Sequence, residues 1–244
     1  ITNLIKAKEK YGYYLDKDGH PNYFNEEARF YLERIFSNFI NKHNNKTYQE
    51  MMAEICCLKY KKEECILDFD DYYAKEFLRK NHLGMKDKFI GIHMGTGPRW
   101  SSKAWSKNKV VEFIKKINNY NIILFAGPNE ADNQREIAES LDNSGIKIYT
   151  NDPNNSLKDF ISLVNLCNVM IVNDSLSLHV SIALKKKTIA LFFCTPPWEI
   201  EDYGRIKKIT SPLLGKYFYT DEYSEELVSS ISAEEVHEAL KSFG

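Results

Sequence analysis

Residues 168–193, NVMIVNDSLSLHVSIALKKKTIALFF, decide the fold. Two apolar runs, VMIV (169–172) and TIALFF (188–193), flank the short helical stretch SLHVSIAL (177–184). Neither run alternates with polar residues, so each reads as a strand buried on both faces. A strand, a helix and another buried strand in succession form the repeating unit of a parallel sheet.

The same rhythm extends towards the N-terminus. KFIGIHMG (88–95), NIILFAG (121–127) and IKIYT (146–150) read as strands. SKNKVVEFIKKIN (106–118), EADNQREIAESL (130–141) and SLKDFISLVNL (156–166) read as the helices between them. Ser156 with Asp159, and Ser232 with Glu235 in the closing stretch SAEEVHEALKSF, have the spacing of helix caps. This order predicts an α/β, Rossmann-like, doubly wound parallel sheet over residues 86–244.

Residues 1–85 read differently. NEEARFYLERIFSNFI (25–40) sets Ala28, Tyr31, Leu32, Ile35, Phe36 and Phe39 at helical spacing behind Asn25 as a cap. TYQEMMAEICCL (47–58) and DDYYAKEFLRKNHLG (70–84) read as two more helices. Nothing in this part alternates like a sheet, and it is expected to form a helix-rich N-terminal domain. The chain starts at Ile1 without Met, in what reads as an ongoing fold, as a fragment of a longer protein would.

With 244 residues, 43% hydrophobic and 27% charged, the chain has the composition of an ordinary globular protein with a sizeable core. A net charge of −1 provides no bulk attraction to nucleic acid or an anionic membrane. No run reaches transmembrane length and no signal-peptide pattern opens the chain, so a cytoplasmic location is expected. Five cysteines without C-x-x-C spacing argue against a disulfide framework or a zinc site.

In a doubly wound sheet, ligands sit beyond the C-terminal strand ends. That rule selects the loops 93–105, 126–130, 173–179 and 194–199. The first, HMGTGPRWSSKAW, holds Thr96, Gly97, Arg99, Ser101, Ser102 and Lys103: small residues, hydroxyls and two cations suited to a phosphate, or simply a surface loop. The second offers Gly127, Pro128 and Glu130, whose carboxylate either accepts ribose hydroxyls or starts the next helix. In the third, Asp174 and Ser175 open a helix towards the crevice and His179 follows one turn later; they bind phosphate and sugar, or they cap the helix while His179 packs inside. In the fourth, Trp198 packs on a flat ring or on its own domain.

Other chemistries are poorly supported. Cys194 has no evident activating base, no G-x-S-x-G elbow occurs, and the P-loop signature is absent. Asp16 with Asp18, and Asp68 with Asp70, have D-x-D spacing, but both pairs read as solvated acidic turns rather than as a metal site.

Taken together and in order, IGIHMGTGPRWSSKAWS, LFAGPNE, NSLKDFISLVNLCNVMIVNDSLSLHVSIAL, TIALFF and YGR resemble glycosyltransferase family 9, the heptosyltransferases of lipopolysaccharide assembly. The resemblance implies a GT-B-like fold. Residues 1–85 would be part of the acceptor-side domain, incomplete without its opening half, and residues 86–244 the domain that holds the nucleotide-sugar donor. It implies inverting transfer of a sugar, heptose, from ADP-heptose to a saccharide acceptor. No metal cofactor or nucleic acid is implied, and contact with the inner membrane would be peripheral.

By position, the resemblance places Lys103 on the donor diphosphate with Thr96, Gly97, Arg99 and Ser175 around it. Gly127 and Glu130 fall at the ribose and nucleoside, and Asp174 and His179 at the sugar pocket. The family's general base lies on a glycine-rich loop of the N-terminal domain that does not precede Tyr11 here, which leaves His179 as a spare candidate. Leu176 stands where the family usually has Gly, and Ser106 where it has Pro. Two alternatives remain: a nucleotide-sugar binding module without catalysis, and a GT-B-like enzyme acting on UDP-sugars.

Overall fold

The computed structural model describes residues 5–117 and 120–243, and they group into two compact units. The first comprises the N-terminal residues up to Glu64 together with Pro196–Tyr203. Its strands β1 (Tyr13–Leu15) and β2 (Pro21–Tyr23) pair antiparallel, Tyr13 opposite Tyr23. This hairpin was not expected from the sequence. Its turn is the stretch LDKDGHP: Asp16 Oδ1 accepts from the backbone N–H groups of Asp18 and His20, each at 2.9 Å, and Gly19 takes a φ of +83°. The Asp16–Asp18 pair is therefore a turn, as read, and three-residue strands are too short for alternation to register.

Three helices follow: α1 (Glu26–Arg34), α2 (Asn38–His43) and α3 (Tyr48–Ile55). The single helix expected over 25–40 is broken, because the Ser37 side chain accepts from the N–H of Ile40 and starts a new helix. Of the positions expected in the core, Ala28 is buried, whereas Phe36 and Phe39 are 81% and 71% exposed. Asn25 does not cap α1 through its side chain; its Oδ1 accepts from the Gly12 N–H at 2.9 Å instead. At the centre of this unit the buried Arg34 pairs with Glu199 and donates from Nε to Asn41 Oδ1 at 2.8 Å.

The second unit spans Cys65–Thr195 and Gly204–Gly244. It starts with α4 (Tyr72–Lys80), continues through β3 (Phe89–His93), α5 (Lys107–Lys116), β4 (Asn121–Phe125), α6 (Ala131–Leu141), β5 (Ile148–Thr150), α7 (Leu157–Leu166), β6 (Val169–Asn173), α8 (Leu176–Ala183), β7 (Lys187–Phe192) and β8 (Ile206–Thr210), and closes with α9 (Glu225–Val228) and α10 (Ala233–Lys241). The six strands form one parallel sheet in the order β5-β4-β3-β6-β7-β8. Relabelled within this unit, that is the doubly wound order 3-2-1-4-5-6, whose direction reverses between β3 and β6.

Two features differ from expectation. The domain boundary expected at residue 85 falls near residue 64, because α4 packs Ala74, Phe77 and Leu78 inward and the Ala74 N–H donates to Ser162 Oγ of α7 at 3.0 Å. The sheet also gains β8, an edge strand (IKKIT) whose Lys207 and Lys208 mask its pattern. The helix expected over 106–118 closes at Lys116, and Asn118 lies outside the described residues.

Local chemistry sets the helix starts. Ser156 with Asp159 and Ser232 with Glu235 form complete reciprocal caps, and Ser106 accepts from the Lys109 N–H at 3.4 Å to cap α5. Thr47 accepts from the Glu50 N–H at 3.2 Å. The middle of the sheet demands one glycine. A methyl group at Gly91 would come within 2.3 Å of Met170 Sδ, 2.8 Å of Cys167 Sγ and 2.9 Å of Phe125 Cε2. Only hydrogen fits between those three side chains.

Candidate functional site at the reversal of the sheet

The loop after β3 is rooted on both sides of Lys103. Ser102 is buried and donates from Oγ to the Thr220 carbonyl at 2.7 Å. Trp105 is buried and donates from Nε1 to the Ile231 carbonyl at 3.0 Å. The loop's own turn is closed by Thr96 Oγ1, which donates to the Trp100 carbonyl at 2.8 Å, and Gly97 supplies a φ of +73°. With Ser102 anchored inward, Lys103 projects the other way, its ammonium 4.8 Å from the centre of the Trp100 ring.

Lys103 meets Asp174, the first residue after β6. Its Nζ lies 2.9 Å from Asp174 Oδ2 and 3.5 Å from the Asp174 carbonyl oxygen. The same carboxylate oxygen accepts a hydrogen bond of 2.8 Å from Thr195 Oγ1, three residues beyond β7. Asn173 donates from Nδ2 to the Met94 carbonyl at 2.8 Å and ties the ends of β3 and β6 together. Three loops thus converge where the strand order reverses, and they hold a half-buried cation and anion against each other.

Two cavities open among the loops at these strand ends, and neither is lined by Lys103, Asp174 or Thr195. One, of about 260 Å³, is lined by Thr96, Gly97, Ser101, Lys107 and Glu130 among others. Glu130 sits where the backbone makes room for it. A methyl group at Gly95 would lie 3.1 Å from the Glu130 carboxyl carbon, and one at Gly127 would lie 3.1 Å from its Oε2. The other, of about 250 Å³, is bounded by His93, Gly127, Pro128, Leu157, Phe160 and Leu176 among others. It is mainly apolar, and the exposed Leu176 forms part of its wall.

His93 is the residue that sequence reasoning missed in this cavity. Burial pushes its pKa down from the ordinary value to about 4, so the ring is neutral at physiological pH, with Phe160 edge-on at 5.6 Å. The one available signal was its position as the last residue of a buried strand.

The remaining expected residues fall into place unevenly. Ser175 precedes α8, and its Oγ shares a hydrogen bond of 2.9 Å with Ser177 Oγ. Arg99 is exposed, its guanidinium 5.4 Å from the Trp100 ring centre. His179 is exposed on α8 and lines neither cavity. Trp198 groups with the first unit. Cys194 is buried under Ser102, and burial pushes its thiol pKa up, which leaves it a poor nucleophile.

The glycosyltransferase family 9 (heptosyltransferase) profile matches residues 1–218 of this sequence. The chain belongs to glycosyltransferase family 9. It is 22% identical over 205 residues to lipooligosaccharide heptosyltransferase 2 of Campylobacter jejuni, an alignment that covers 82% of this chain and 57% of that protein. The chain therefore spans little more than half the length of this curated relative.

Among solved structures, the family 9 glycosyltransferase of Veillonella parvula matches with a TM-score of 0.66 at 19% identity, over 82% of this chain and 60% of the other. The Escherichia coli ADP-heptose lipopolysaccharide heptosyltransferase II matches with a TM-score of 0.61 at 19% identity, over 72% of this chain and 52% of the other. These likenesses establish the GT-B-like α/β fold that family 9 shares. Among the described residues, no helix is long and apolar enough to cross a membrane.

Proposed function

We propose that this family 9 chain serves an inverting glycosyltransferase that moves a heptose from ADP-heptose to a saccharide hydroxyl in lipopolysaccharide assembly. The observation that carries the reading is the Lys103–Asp174 pair at the point where the strand order reverses. Support for the donor comes from the E. coli neighbour, which is described as an ADP-heptose heptosyltransferase.

In this reading the diphosphate lies against Lys103, with Arg99, Thr96, Gly97 and the amides that open α8 completing its surroundings. The adenine slots between Pro128, Leu157, Phe160 and Leu176, and Glu130 accepts the ribose hydroxyls. Asp174 faces the sugar. As the bond between the anomeric carbon and the diphosphate oxygen breaks, positive charge grows on the ring and negative charge on the departing diphosphate. Lys103 and the fixed amide dipoles stabilise that negative charge without reorganising, the role a divalent cation fills at other phosphate sites. Calorimetry with ADP, UDP and GDP tests the donor, and chelation with EDTA tests the proposed independence of metal. Binding of ADP alone or preferentially is expected; a preference for UDP would favour the UDP-sugar alternative, and silence with all three would refute the reading.

One observation favours a second reading. In this site, Glu130 is given to the ribose, Asp174 is held by Lys103, and His179 lies on the exposed side of α8. None of these three is then a free general base, whose contribution is typically about 10²–10⁴-fold. Residues 1–244 by themselves are expected to bind donor nucleotide and to transfer sugar feebly or not at all, as a binding module would. Full turnover by this chain in a transfer assay would overturn that expectation and point to His179.

A further inference from the structure

The hydroxyl of Thr195 has a position that the donor reading does not use. It is bonded at 2.8 Å to Asp174 Oδ2, the oxygen that also takes the Lys103 ammonium at 2.9 Å. An ionised carboxylate has only lone pairs to offer, so the threonine hydroxyl is the donor. Thr195 is itself buried and the backbone just before it is anchored. The preceding Cys194 carbonyl accepts from the Tyr219 N–H at 2.8 Å, and Pro196 and Pro197 follow directly. The hydroxyl is therefore a fixed point to which the Asp174 side chain is tethered.

We infer that Thr195 is a positioning residue for the donor diphosphate, acting through Asp174 on Lys103; the inference rests on the donor site proposed above. A diphosphate brings further negative charge beside Asp174 and competes with it for the same ammonium. A carboxylate held only by Lys103 would satisfy itself by drawing the ammonium closer, or would rotate towards the phosphates and repel them. The Thr195 hydrogen bond supplies part of what the carboxylate needs and holds it in one rotamer. That leaves the lysine's other N–H groups available to the ligand. Lys103 is confined on the other flank by the Trp100 ring, so its small range of positions is set by these two neighbours.

The test compares Thr195→Val, which keeps shape and loses the hydroxyl, with Thr195→Ser, which keeps the hydroxyl. Both are read by the ratio of ADP affinity to adenosine affinity in calorimetry, with thermal unfolding as a check on structure. Valine should reduce ADP affinity by about five- to tenfold and leave adenosine unchanged, while serine should stay close to the unaltered chain. In a Lys103→Ala background the valine substitution should no longer change the ratio, because the residue through which it acts is gone. A merely structural threonine would weaken both ligands alike and would do so in either background. Thr195→Ala repeats the comparison if the valine variant loses its fold. An unchanged ratio in a chain that binds ADP would overturn the role of Thr195 and leave the donor site standing. No binding of ADP by the unaltered chain would overturn both.

Discussion

Replacing Lys103 with alanine removes the cation that pairs with Asp174 at the sheet reversal. The side chain is 15% exposed and that of Asp174 is 19% exposed, so their interaction is screened less than a surface pair and more than a fully interior one. Two effects add against a diphosphate. The ligand loses a charge-assisted hydrogen bond worth about 1.5–3 kcal/mol, and the Asp174 carboxylate is left facing it without its counter-charge, still bonded to Thr195. At about 1.4 kcal/mol per tenfold, the first effect alone weakens ADP binding by roughly 10- to 150-fold. Adenosine carries no phosphate and should bind nearly as before. Calorimetry with the two ligands side by side measures this. Adding Asp174→Asn to the variant should recover part of the ADP affinity, because the repulsive charge goes with it. Stability should drop by about 1–3 kcal/mol, between the small worth of exposed pairs and the larger penalty of stranding a buried charge. Equal loss of ADP and adenosine binding would refute the reasoning and make Lys103 a support of the loop.

Glu130→Gln keeps the size of the side chain between Gly95 and Gly127 but weakens its acceptor strength; adenosine affinity should fall about three- to tenfold, with a smaller loss for 2′-deoxyadenosine, as calorimetry would show. Gly91→Ala forces a methyl group to within 2.3 Å of Met170 Sδ and should destabilise the sheet by about 1–3 kcal/mol or more in denaturant unfolding, whereas the same change at the open Gly215 should not. The folded-state pKa of His93, about 4, lies below its ordinary value, so the unfolded chain binds the proton more readily. Its contribution is therefore present above about pH 6.5 and fades as the pH falls towards 4, by roughly 3 kcal/mol in all; His93→Phe should flatten that acid limb in chemical denaturation at stepped pH.

The sequence by itself determined the α/β order of residues 88–193, since buried parallel strands show as continuous apolar runs and the serine caps mark the helix starts locally. It also determined which loops stand at the C-terminal strand ends, because that needs only the order of elements. Where local pattern is weak it failed, as at the three-residue strands of the hairpin, the break at Ser37 and the lysine-bearing edge strand β8. Only the tertiary structure decided which residues meet. Lys103 and Asp174 are 71 residues apart and Asp174 and Thr195 are 21 apart, and their shared oxygen exists because parallel crossovers return three loops to one edge of the sheet. Likewise, Gly95 and Gly127 read as loop glycines until the Glu130 carboxylate is seen lying against both, and α4 reads as part of the N-terminal helices until its apolar face is found on α7. Periodicity records that a face is buried; what it is buried against depends on the path of the whole chain.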